Sequence, residues 1–176
     1  LVQLQQDRFI FNWKRVKPDD EYPSYDQVVA DFRERFDEFT SFLRDQSLGE
    51  LTFRQLELTY VNHIPNSSLS GEHPATVLVD YSRANASSRF LPPPTGFKWA
   101  SGYELPNGAG RLHGVCQTAR VQQEPVVRMD LTARGGPQDP GFDGCCKWFD
   151  TAHEWITQGF TDLTTPKMHA VWGRTQ

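Results

Sequence analysis

A chain of 176 residues has the length of one domain and can bury about 70% of its unfolded surface. Hydrophobic residues at 38%, aromatics at 12% and a formal net charge of −4 describe a folded chain with a Phe- and Trp-built core and exclude disorder. The acidic balance, with a pI near 5.7, gives no electrostatic footprint for nucleic acid or an anionic membrane, and no apolar run nears the ~18 residues of a membrane span.

The chain opens directly in strand-like alternation without a start methionine, so it reads as starting inside a larger protein, with residues 1–176 as a single domain. Val2 and Leu4 alternate with glutamines; Phe9, Phe11 and Trp13 alternate with Ile10 and Asn12; "QQDR" between them predicts a tight hairpin. A helix is predicted over 24–48. Ser24 with Gln27 forms a capping box, Tyr25, Val28, Val29, Phe32, Phe36, Phe39 and Leu43 recur at helical spacing, and Gly49 marks the end. Asp31/Arg35 and Arg33/Asp37 are i,i+4 pairs on its wet side. "LTFRQLELTYVNHI" reads as a strand with Leu56, Leu58, Tyr60 and Ile64 on one face and Glu57, Thr59 and His63 on the other. Asn62 has the parity of the buried face and needs a buried hydrogen-bond partner. After a loop at 65–75, "TVLVDY" predicts a shorter strand, and the Ser-, Asn- and Pro-containing stretch 82–96 excludes a central strand or helix.

"GFKWASGYEL", "RLHGVCQTARV" and "VVRMDLTAR" form a predicted antiparallel meander turned by "PNGAG" and "QQEP". In the last strand Val127, Met129, Leu131 and Ala133 share one face, and Arg128, Asp130, Thr132 and Arg134 the other, so the sheet is covered on one side only. A second long helix starts near Phe142, with Phe142, Cys145, Phe149, Ala152, Ile156, Phe160 and Leu163 as its apolar stripe. Thr165 and Pro166 start a last short helix that Gly173 ends.

Motifs for chemistry are few. His153-Glu154 lacks the second histidine of HExxH, since Thr157 stands there; "GAGRLHG" lies between strands and is a hairpin, not a phosphate cradle. No Walker sequence and no GxSxG elbow occurs. Cys116, Cys145 and Cys146 have no CxxC spacing and read as buried, reduced thiols of a cytoplasmic protein, in which the sequons at Asn66 and Asn85 have no use. No catalytic residue, metal site or cofactor is assigned. The polar residues that could serve a ligand are His63, Arg128, Arg134, His153, Glu154 and His169.

"DRFIFNWKR" at 7–15, "ELTYVNHIP" at 57–65, "MDLTARG" at 129–135 and above all "FDTAHEWITQGFTDLTTPKMHAVWGR" at 149–174 resemble a sporadically distributed prokaryotic family of functionally uncharacterised proteins. The resemblance implies a further strand-and-helix region before Leu1; it implies no catalytic residues. The expected fold is α+β, a curved, mostly antiparallel sheet with helices 24–48 and 142–163 packed on one face, in the manner of helix-grip or chaperone-like two-layer folds. The expected function is a non-enzymatic protein-binding module, in a defence or toxin–antitoxin setting, whose partner is another protein rather than nucleic acid or membrane. The alternative is a small-ligand-binding or hydrolytic protein using a cavity between the sheet and the C-terminal helix. Oligomeric state is open at this stage.

Overall fold

The computed structural model describes residues 1–16, 20–80 and 94–173 and shows an α+β protein. The expected loop at 82–96 and the Asn85 sequon lie, up to residue 93, outside the described residues. The chain divides into two compact units, Leu1–Thr52 and Phe53–Gln176.

In the first unit β1 (Val2–Gln5) and β2 (Arg8–Phe11) form the expected hairpin, turned at Gln6 and Asp7, with Val2 opposite Phe11 and Leu4 opposite Phe9. Helix α1 (Tyr25–Asp45) starts where its capping box predicts: the Ser24 hydroxyl accepts the Gln27 N–H at 3.2 Å, and Gln27 Oε1 accepts the Ser24 N–H at 2.8 Å. It stops short of Gly49. Ser47 takes a left-handed conformation (φ 54°), and the N–H groups of Ser47 and Leu48 return to the carbonyls of Arg44 and Leu43. Arg35, expected opposite Asp31, turns to Glu38 at 2.8 and 3.0 Å. The apolar stripe lies on the hairpin, with Phe9 ring centroids 5.8, 5.4 and 5.4 Å from Phe32, Phe36 and Phe39.

The second unit holds a four-stranded antiparallel sheet of β3 (Leu56–Pro65), β4 (Lys98–Glu104), β5 (Gly110–Val121) and β6 (Glu124–Gly135), in the order β3-β6-β5-β4. The one sheet expected from sequence is therefore two, the hairpin standing as a sheet of its own. Alternation places Leu112, Cys116, Val127, Met129, Leu131 and Ala133 on one face, each buried to within 2%. Helix α2 (Phe142–Leu163) packs there through Cys145, Trp148, Ala152 and Ile156. Asn62 meets its predicted need, its amide donating to the Met129 carbonyl at 3.4 Å. Two glycines are required at the open end of the β5–β6 pair, beside the turn that joins β4 to β5. Gly110 and Gly135 are opposite each other, and a Cβ on Gly135 would lie 1.8 Å from the Ala109 carbonyl oxygen. That oxygen accepts the buried Trp148 indole N–H at 2.8 Å, tying the turn to α2.

The strand expected at "TVLVDY" is corrected. Pro74–Val77 is a 3-10 turn, initiated by Pro74 and by His73 Nδ1, which accepts the Ala75 N–H at 3.2 Å. Local capping outweighs the β-propensity of Thr76 and Val77, and only Leu78 makes a bridge, to Thr164. That bridge begins a clasp. The Val79 N–H reaches the Leu163 carbonyl, and the Thr165 N–H the Val77 carbonyl, at 3.0 Å each. Helix α3 (Pro166–Val171) then lays Met168 into the core and Trp172 against Phe160, centroids 5.3 Å apart. The Thr165 hydroxyl, expected to cap α3, donates instead to the Thr76 carbonyl.

Deleting residues 164–176 should cost at least ~3 kcal/mol, the burial of Met168 plus the bridge hydrogen bonds. Urea unfolding measures this; an unchanged midpoint would mean the clasp holds nothing.

Candidate functional site

The predicted site residues fall in three places. His63, Arg128 and Arg134 lie on the sheet face opposite α2; His153 and Glu154 lie on α2; His169 lies on α3. The structure brings His63 and Arg128 side by side, as directly opposed residues of β3 and β6. Arg134 stands at the far end of the same strand, donating through Nε to Glu57 Oε2 at 2.8 Å.

The helix-side histidines have internal partners. His153 Nδ1 lies 2.9 Å from the Tyr60 hydroxyl, joining α2 to β3, and Glu154 beside it points to solvent. His169 Nε2 is 2.8 Å from the Thr164 hydroxyl. A hydroxyl has one proton, and Thr164 gives its own to the Phe160 carbonyl at 2.6 Å, so His169 Nε2 is the donor in that contact. A nitrogen that carries its proton into such a bond is neither a metal ligand nor a base. Between α2 and the sheet the space is packed by Leu112, Met129, Leu131 and Ile156.

The open face is organised in rows across the four strands. At one end Glu57, Arg134, Arg111 and Glu104 stand in line, Arg111 Nε donating to Glu104 at 2.7 Å. Thr59 and Thr132 follow, hydroxyls 3.0 Å apart, then His113 and Gly102. The next row is Val61, Asp130, Val115 and Ala100, and the last is His63, Arg128, Gln117 and Lys98. Arg128 Nε donates to both oxygens of Asp130 at 2.8 and 3.0 Å. Apart from Asp130 and His113, small and apolar groups thus occupy the middle, and the other charges the two ends.

Past the last row the same face ends in a recess of about 370 Å³. Its walls are His63, Pro65 and Asn66 on one side and Val121, Glu124 and Val126 on the other. The side-chain oxygen of Asn66 is buried there and accepts no hydrogen bond. Sequence reasoning passed over His113, Lys98 and Asn66. The strand parity of His113 was readable, but the neighbours of all three depend on register. Asn66 had been seen only as part of a sequon.

Burial pushes the Cys116 thiol up to about 12, with the charge of Asp130 adding to it, and the Cys145 thiol up to about 11, with Cys146 adding. All three cysteines are buried free thiols. Among the described residues no three His, Cys, Asp or Glu side chains gather as a metal site, and no helix is long and apolar enough to cross a membrane. Compared with protein-family models, curated proteins and solved structures, the chain finds no match.

A raised thiol pKa makes the folded state hold its proton longer than the unfolded chain does. Stability should therefore be unaffected by these groups below about pH 8.5, and fall as the pH rises from there through about 11 and 12. A thiol reagent at pH 8 should label the native protein far more slowly than the unfolded one. Rapid native labelling at Cys116 or Cys145 would contradict their burial.

Proposed function

We propose that the chain is a non-enzymatic protein-binding module that docks an acidic segment of its partner on the open face of the four-stranded sheet. The observation that carries this reading is the row His63–Arg128–Gln117–Lys98, which leads into the recess beside Asn66. On this face four cations (Arg111, Arg128, Arg134, Lys98) stand against four carboxylates (Glu57, Glu104, Asp130 and, at the recess, Glu124), in a chain whose formal net charge is −4. The row His63–Arg128–Gln117–Lys98 itself holds two cations and no carboxylate, which is what an acidic segment would meet there.

The middle of the surface carries Val61, Val115 and Ala100 beside Asp130, with the other charges towards its two ends. Val61 is 47% exposed in that centre. The recess, apolar along Pro65, Val121, Pro125 and Val126, suits an aliphatic anchor. The charge pairs on the face are solvent-exposed and contribute little to stability, ~0–1 kcal/mol each, which leaves them free to re-pair with a partner at small cost.

Fluorescence anisotropy with a glutamate-rich decapeptide carrying one central leucine tests the reading. Saturable binding that weakens with salt is expected, with Arg128→Glu and Lys98→Glu together weakening it at least ~10-fold, about 1.4 kcal/mol. Absence of binding, indifference to those substitutions, or equal binding of a lysine-rich decapeptide would overturn it.

A further inference from the structure

The β5–β6 hairpin outruns its neighbours. β3 ends at Pro65, opposite Val126, and β4 begins at Lys98, opposite Gln117, so Arg120 to Pro125 project past both. The outermost pair, Val121 opposite Glu124, lines the recess, and Gln122 and Gln123 alone make the turn between them.

A two-residue turn follows the twist of antiparallel strands when both of its residues are left-handed, and Asn-Gly is the pair that suits it. Gln122 (φ 49°) and Gln123 (φ 73°) are both left-handed here, where a Cβ crowds the backbone and only Gly or a short polar side chain is at ease. The chain uses the favourable residues at the opposite end of β5: Asn107 (φ 55°) and Gly108 (φ 71°) stand in the turn from β4. Beside the recess it keeps the costly ones. Arg120 braces them, its Nη1 donating to the Gln123 carbonyl at 3.0 Å. Both glutamines are exposed, and among the described residues neither side-chain amide has a hydrogen-bond partner. Packing within the described fold therefore gives no reason for glutamine at either position, and strain of this kind persists at sites of binding.

We propose, on the strength of the docking reading above, that Gln122 and Gln123 determine specificity at the mouth of the recess. Their amides donate to carboxylates and carbonyls of the acidic segment whose apolar side chain enters it. The neighbouring Glu124 explains why amides serve here better than cations. Its carboxylate repels an acidic segment, and a lysine or arginine at the tip would be taken up in pairing with it. A neutral amide keeps its two N–H groups available, and the extra methylene of Gln over Asn carries them further from the turn.

Two double variants separate side chain from backbone. Gln122→Asn with Gln123→Gly relieves the turn while shortening one amide and deleting the other. It should raise the melting temperature by at least ~2 °C and weaken the glutamate-rich decapeptide with one central leucine at least ~5-fold. Gln122→Ala with Gln123→Ala keeps the left-handed demand without the amides. It should weaken the peptide as much with no gain in melting temperature. If the parent binds the peptide and either variant binds it equally well, the proposal is overturned while the docking reading stands. An unraised melting temperature in the Asn-Gly variant overturns it too, because the turn then holds no strain. A parent that does not bind the peptide overturns the docking reading and this inference together.

Discussion

The packing of α2 on one face of the four-stranded sheet is the constraint from which the second unit follows. Val127, Met129, Leu131 and Ala133 are fully buried beneath it, and each of the larger side chains is worth ~1.5–3 kcal/mol by burial. Side chains alternate along a strand, so burying these four turns Arg128, Asp130, Thr132 and Arg134 outward. A one-residue slip would put two arginines and an aspartate under Ile156 and Trp148, at several kcal/mol per uncompensated charge. The helix thus selects the register, and the register composes the open face.

The outward rows are consequences of that selection. Glu57 and Arg134 are 77 residues apart in sequence, yet directly opposed in space. The same register sets His63 beside Arg128, with Gln117 and Lys98 continuing the row. Exposed ion pairs do not hold the sheet together, so their arrangement is better read as the character of a surface than as a source of stability. On the helix side the polar groups have the opposite role: Tyr60 with His153, and Thr164 with His169, join elements together.

Elements with strong periodicity were legible from sequence. The β6 alternation, the α1 capping box, the α2 stripe and the need of Asn62 for a partner all appear where the residues place them. The strand expected from Thr76 was misread because Thr76 and Val77 have strand propensity, while Pro74 and the His73 ring start a tight turn. The end of α1 was misplaced because the chain already turns left-handed at Ser47, ahead of Gly49, which has a positive φ as well. The site was legible only as separate residues. His63 and Arg128 were named, but not as neighbours, and the recess beside Asn66 requires the β5–β6 turn to approach the end of β3. Two sheets in place of one followed for a similar reason: strand patterns mark which face is buried, not which strands pair.

Substituted-cysteine labelling tests most directly whether one face of this sheet is closed and the other open. Val61→Cys and Thr59→Cys place thiols on the outward face of β3, and Met129→Cys and Leu131→Cys place them on the inward face of β6. The outward pair should react with a water-soluble maleimide at rates near those of the unfolded chain, and the inward pair should react only as fast as the protein unfolds. Protection of Val61→Cys and Thr59→Cys to the level of the inward pair would mean that the face is covered by the chain itself, and the docking surface would not exist.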